Sequence, residues 1–148
     1  MRKVILGLAV SLDGFIEGPN GEYDWCFTDQ DYGMSDFFKR IDSVFMGRKS
    51  YELAQSMGDA AMPGFPKLKE YVFSNTLQTV KKDVIVISGN IVEQVNKIRN
   101  EPGRDIWLFG GAALTTSPCR TKPANATVSK HLSIQVANVC ISLTSRRW

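Results

Sequence analysis

The sequence contains one histidine, His131, and three cysteines, Cys26, Cys119 and Cys140, among 148 residues. A lone imidazole cannot build a histidine-rich metal site, and no cysteine pair has the Cys-X-X-Cys spacing of structural zinc. The odd, irregularly spaced cysteines argue against a disulfide framework and predict reduced thiols with no intrachain bridge, as in a cytoplasmic protein. Long apolar runs are missing as well. None approaches the ~20 residues of a membrane helix, so no membrane partner is expected. The basic start Met1-Arg2-Lys3 leads into a short apolar stretch, Val4 to Val10, and then Ser11-Leu12-Asp13-Gly14 without a cleavage-like site. A buried first strand accounts for this better than a secretory signal. Excess charge of one sign is also scarce: 18 Lys and Arg against 15 Asp and Glu give a net +3. The basic pairs Lys81-Lys82 and Arg146-Arg147 are short, and no zinc finger, GxxG loop or basic-aromatic stripe is present, so nucleic acid is not an expected partner. A mild positive excess still suits a phosphorylated ligand.

What is present is a 43% hydrophobic chain whose length fits one domain, residues 1–148, around one core. Short apolar runs predict strands near residues 3–10, 43–46, 70–74, 84–87 and 106–109 in one sheet. Between them lie helix signals. Ser35 reads as an N-cap ahead of Phe37, Phe38 and Ile41, with Asp36 in the first turn. Gly47 ends a strand and Arg48-Lys49-Ser50-Tyr51-Glu52 begins a helix, which the loop from Gly58 to Pro66 breaks. Asn90 with Glu93 makes a capping-box pattern ahead of Ile91, Val95 and Ile98, and Pro102-Gly103 stops that helix. Strands alternating with helices up to residue 115 predict an α/β protein with a largely parallel sheet. Residues 17–33 read as a long loop, and residues 116–127 as irregular. Leu132, Ile134 and Val136 alternate with polar residues, as in a strand, with a bulge or tight turn near Ala137-Asn138.

Two strand-to-helix junctions carry the chemistry. In Val44-Phe45-Met46-Gly47-Arg48-Lys49-Ser50, a glycine at a strand end exposes the amides of a helix start, where a phosphate can bind. Arg48 adds a permanent charge with a fork of donors, and Lys49 and the Ser50 hydroxyl add contacts. In Ile106-Trp107-Leu108-Phe109-Gly110-Gly111-Ala112-Ala113, small residues leave room for a pyrophosphate or flat ring against the backbone. The second junction is not a GxGxxG or Walker A pattern. From the residues alone each junction also fits a simple tight turn. Together they point to a ligand across the carboxyl ends of the strands.

The order and spacing of Ala9-Val10-Ser11-Leu12-Asp13-Gly14-Phe15-Ile16, Asp42 through Glu52, Val72-Phe73-Ser74 and Ile106 through Ala112 resemble the dihydrofolate reductase-like superfamily. The similarity is greatest to the reductase domain of bacterial riboflavin biosynthesis, over about residues 3–115. The resemblance implies a three-layer α/β/α fold around a mixed, mostly parallel sheet, an NADPH site and a homodimer. It implies Gly47, Arg48, Lys49 and Ser50 beside the cofactor phosphates, and Ser74 with Asn75 near the adenosine 2'-phosphate. Gly110, Gly111, Ala112 and Ala113 would pass under the pyrophosphate and nicotinamide end, and Ala9, Leu12 and Asp13 would border nicotinamide and substrate. The implied activity is NADPH-dependent reduction of a small heterocycle, resembling 5-amino-6-(5-phosphoribosylamino)uracil reductase. Asp13 is the polar candidate for orientation or protonation, or equally a cap for the turn at Gly14. Met34 falls where dihydrofolate reductase proper presents an acid to its pterin, and residues 118–148 lack the family's acidic strand start and Gly-rich hairpin. The alternatives are a nucleotide-binding or regulatory protein without turnover, and a dihydrofolate reductase.

Overall fold

Apolar runs such as Val44-Phe45-Met46 and Ile106-Trp107-Leu108 are buried along their whole length, which requires cover on both faces of the strand. The computed structural model, which describes residues 1–11, 15–22, 26, 29–58, 65–110, 120–121 and 132–137, supplies that cover. Its elements are β1 (Val4–Ser11), β2 (Phe15–Glu17), α1 (Met34–Arg40), β3 (Ile41–Gly47), α2 (Arg48–Met57), β4 (Lys69–Phe73), β5 (Val84–Ile87), α3 (Ile91–Asn100), β6 (Asp105–Gly110), β7 (Arg120–Thr121) and β8 (Leu132–Ala137). Six strands form one sheet in the order β5-β4-β3-β6-β1-β8. The pairings from β5 to β1 are parallel, and β8 runs antiparallel to β1. All five strands expected in one sheet are there.

Side-chain alternation sorts the core into two layers. Ile5, Val44, Met46, Val72 and Trp107 pack with Phe37 of α1 and Tyr51 of α2. Phe45, Tyr71, Phe73, Ile87, Ile106 and Leu108 pack with Val95 and Ile98 of α3. Helices therefore cover both faces, and the fold is the expected three-layer α/β/α arrangement with a mostly parallel sheet. Each of these large apolar side chains contributes about 1.5–3 kcal/mol by leaving water.

The amino ends of the strands are tied together by a buried arginine. The guanidinium of Arg2 donates to the Asp42 carboxylate, to Ser43 Oγ at 2.8 Å and to the Arg104 carbonyl. The backbone amide of Arg104 donates to the other Asp42 oxygen at 2.7 Å. Polar groups at this end of the sheet thus satisfy one another.

The structure corrects three details. Ser35 is not the N-cap of α1. The helix begins at Met34, its N-cap is Gly33 at φ 79°, and Asp31 does the capping. The Asp31 carboxylate accepts from the amides of Gly33 at 3.1 Å and Ser35 at 3.0 Å, and the Ser35 hydroxyl donates to it at 2.7 Å. An acceptor two residues ahead of Gly33 reaches the orphan amides first, so the serine becomes a donor. Second, the segment 116–127 is not wholly irregular. Arg120–Thr121 pairs in parallel with β2, and β2 also takes Glu17 from the expected loop. Third, β4 ends at Phe73 rather than Ser74, although the Ser74 amide extends the ladder by donating to the Ile87 carbonyl at 3.0 Å. Cys119, Cys140, His131, the helix start expected after Gly111 and the turn expected beyond Ala137 lie outside the described residues.

Candidate functional site

Parallel pairing puts the carboxyl ends of β4, β3, β6 and β1 side by side along one edge of the sheet. From β3 the chain leaves toward β4 and β5, and from β6 it proceeds to β8 on the opposite flank. The direction of winding therefore reverses between β3 and β6, and such a switch point opens a crevice. The register brings the sequence candidates to it. Gly47 pairs with Phe73, so Ser74 follows on one side, and Met46 pairs with Gly110 on the other.

At the centre of this edge stands the amino end of α2. Its N-cap is Gly47, in an extended conformation at φ −81°, and no side chain caps it. Arg48 and Lys49 open the helix and its first turn holds no acid. Bare amides, the positive end of the helix dipole and two cations are concentrated in one place, an arrangement that an anion relieves. The Arg48 Nη1 donates to Glu52 Oε1 at 2.9 Å and Oε2 at 3.3 Å, with both side chains about half exposed. Lys49 is exposed and Ser50 half-buried on the same first turns.

Beside it, β6 ends irregularly. The β3–β6 register shifts between Phe45, opposite Leu108, and Met46, opposite Gly110, so Phe109 is an extra residue in β6. Gly110 has φ 112°, where a side chain is strained, and a Cβ there would lie 2.9 Å from Leu8 Cδ2. The last β1–β6 pair is Leu6 with Leu108, whereas β1 pairs with β8 as far as Ser11. This leaves a step in the sheet above Gly110, alongside which half-buried Ala9 sits in β1. Just past that last pair, the Gly7 carbonyl accepts from Trp107 Nε1 at 3.1 Å.

The Ser74 hydroxyl accepts from the amides of Thr76 at 3.1 Å and Leu77 at 3.0 Å, so its O–H is what it has left to offer a ligand. Asn75 is exposed, and its Oδ1 accepts from the Gly89 amide at 3.4 Å. Met34 opens α1 and packs, half-buried, against the Phe37 and Trp107 layer. Leu12, Asp13, Gly111, Ala112 and Ala113 lie outside the described residues.

Sequence reasoning missed an aromatic cluster beside the end of β6. Phe38 of α1 meets Phe65 edge-on at 5.0 Å between centroids, and Trp107 meets Phe109 at 5.0 Å. Phe65 also lies 5.7 Å from Trp107. The Phe37-Phe38 pair and the Trp-Leu-Phe run are visible in the sequence, but their meeting is tertiary. An open groove of about 430 Å³ runs between α2 and the segment after β4, with Glu52, Leu77 and Lys81 in its walls.

Residues 2–122 match the RibD C-terminal domain. The chain belongs to this family. It is 47% identical over 125 residues to the Bacillus subtilis (strain 168) protein YyaP, covering 78% of this chain and 66% of that one. It is 34% identical over 119 residues to YwjB of the same organism, covering 76% and 66%. The chain thus spans about two thirds of the length of these curated relatives. A crystal structure from Shewanella sp. PV-4, described as a "Putative riboflavin biosynthesis protein", superposes with a TM-score of 0.62 at 25% identity over 77% of this chain and 67% of that one. Fold and family tie this RibD C-terminal domain to riboflavin-biosynthesis reductase-like proteins. Among the described residues no helix is long and apolar enough to cross a membrane.

Proposed function

We propose that the chain is an NADPH-dependent reductase of a small heterocyclic substrate, similar in reaction type to 5-amino-6-(5-phosphoribosylamino)uracil reductase. The observation that carries this reading is the uncapped, doubly cationic start of α2 at the switch point, between the Ser74 turn and the positive-φ Gly110. A cofactor phosphate needs amide donors and positive charge, and α2 offers both without competition from a capping side chain. A flat dinucleotide needs close approach to backbone, and Gly110 has no side chain in the way.

In this reading Gly47, Arg48, Lys49 and Ser50 hold the cofactor phosphates, and Ser74 and Asn75 lie toward the 2'-phosphate. Gly110, with Gly111, Ala112 and Ala113, borders the pyrophosphate and nicotinamide end. NADPH, when bound, supplies the hydride. The protein's part is to align the acceptor and exclude water. Ala9 and Leu12 flank the reacting centre, and Asp13 orients the substrate or manages its proton. A thioether at Met34 cannot hydrogen-bond to a pterin as a carboxylate does, so dihydrofolate is a poor substrate.

The test follows NADPH oxidation by absorbance against a ribosylaminopyrimidine, dihydrofolate and a panel of carbonyl compounds, with wild type and Asp13→Asn. Turnover is expected on a heterocycle or carbonyl, reduced in the variant, and little on dihydrofolate. Rapid dihydrofolate turnover overturns the substrate assignment. Tight NADPH binding without turnover on any acceptor favours a nucleotide-binding protein instead.

A further inference from the structure

We infer that Glu52 is a specificity-determining residue that lowers the preference for a phosphorylated cofactor by competing with phosphate for Arg48. This inference rests on the reading of Arg48 as a phosphate ligand. It starts from how the guanidinium is held. One nitrogen, Nη1, serves both Glu52 oxygens, at 2.9 and 3.3 Å. Among the described residues Arg48 makes no other hydrogen bond, and its Nε and Nη2 donors have no acceptor there. The bond runs from residue i to i+4, down the helix surface and away from the amides at the start of α2.

Glu52 also stands on the side of α2 that faces the Ser74 turn. It shares the walls of the groove beside α2 with Leu77, and the Leu77 amide donates to the Ser74 hydroxyl. A phosphate between Arg48 and Ser74 therefore meets a carboxylate as well as a cation. Two effects oppose it. The guanidinium must divide its donors between two acceptors, and the carboxylate repels a second anion lying within a Debye length. A cofactor without the 2'-phosphate meets less of either effect.

The sign of the effect separates this role from a structural one. If Glu52 merely held Arg48 in place for phosphate, its removal would weaken NADPH binding. If it competes, removal tightens it. With α2 carrying two cations and no acid in its first turn, Glu52 is the anion that offsets Arg48 in the absence of ligand, and binding exchanges one partner for another. That exchange also blunts the salt dependence of binding.

The experiment measures dissociation constants for NADPH and NADH by nicotinamide fluorescence, at low and physiological salt. The proteins are wild type, Glu52→Gln, Glu52→Ala, Arg48→Ala and Arg48→Ala with Glu52→Gln. Because the pair is half exposed, both Glu52 variants are expected to fold. They should tighten NADPH about two- to fivefold, leave NADH within about twofold, and steepen the salt dependence for NADPH. The gain should shrink when Arg48 is also replaced. If the Glu52 variants weaken NADPH or leave the NADPH-to-NADH ratio unchanged, while Arg48→Ala still lowers that ratio, competition by Glu52 is wrong and the Arg48 reading stands. An undiminished gain in the double variant also overturns it. If Arg48→Ala leaves the ratio unchanged, Arg48 does not meet the 2'-phosphate, and competition by Glu52 for that group fails with it.

Discussion

Helices α2 and α3 are both ten residues long, follow neighbouring regions of one sheet and begin at the same edge of it, yet their ends are built in opposite ways. The side chain of Asn90 caps α3 by accepting from the Glu93 amide at 3.3 Å, and its own amide donates to Glu93 Oε2 at 3.1 Å. Glu93 lies in the first turn, and Lys97 and Arg99 in the last, each at the end the dipole favours. Helix α2 has a glycine N-cap, two cations at its start, no acid in the first turn and no base in the last. Both helices bury an apolar stripe, Tyr51 on one and Val95 with Ile98 on the other, so packing does not account for the contrast. A helix start whose amides and charge are partly met by its own side chains has less to offer an anion. With glycine at the cap position, the missing side chain costs only about a few tenths of a kcal/mol. In the proposed reading, a little stability is forgone at α2 in favour of binding and retained at α3.

The largest expected effect breaks the contrast at α2. Arg48→Ala should weaken NADPH relative to NADH by about 1–3 kcal/mol, the worth of a charged hydrogen bond. Its unfolding free energy should move by less than about 0.5 kcal/mol, because the Glu52 pair is exposed. Equal losses for the two cofactors, in fluorescence titrations, would make Ser74 the better candidate for the 2'-phosphate. At α3 the outcome should reverse. Asn90→Ala should cost about 1 kcal/mol in urea denaturation and leave NADPH affinity unchanged. A smaller effect sharpens the charge argument. Lys49→Gln removes one cation from the wrong end of a helix and should add about 0.3 kcal/mol of stability while flattening the salt dependence of NADPH binding.

The third helix start provides the mildest test. The Asp31 carboxyl at α1 is held below its usual pKa by the Ser35 hydroxyl and then by the Ser35 amide. A depressed carboxylate pKa adds stability above the ordinary aspartate range, and that stability is lost as pH falls through the depressed value. Urea denaturation across the acid range should therefore show a shallower acid limb for Asp31→Asn. An unchanged limb would mean that the cap at α1 contributes nothing.

Strands are legible in the sequence where the chain is buried on both faces, because an unbroken apolar run as short as Val44-Phe45-Met46 fits a two-sided strand and is too short for a buried helix. The cap of α3 is legible because Asn90 and Glu93 are close in sequence. Ser35 misleads because serine is a good cap by type, whereas the helix begins earlier and Asp31 reaches the amides of Gly33 and Ser35 from outside the expected window. The strand Arg120–Thr121 is hidden because two residues carry no periodicity. Gly47, Arg48 and Gly110 stand out as junctions, and the resemblance predicts that they converge. Their adjacency depends on β6 inserting between β3 and β1, which local pattern does not encode. The cluster of Phe38, Phe65, Trp107 and Phe109 joins three separate segments and has no local signature. The Arg48–Glu52 pair is written in i, i+4 spacing, but that spacing is common on exposed helix faces and does not by itself mark a site.

If the start of α2 is reserved for a cofactor phosphate and the start of α3 is not, the two ends must respond differently to the cofactor. An amide NMR titration of wild-type protein with NADPH measures both at once. The expected result is saturable shifts that are largest at Arg48, Lys49 and Ser50, with the amides of Ile91, Val92 and Glu93 nearly still. Shifts of equal size at the two helix starts, or none at residues 48–50 under saturating NADPH, would contradict the reserved role of α2.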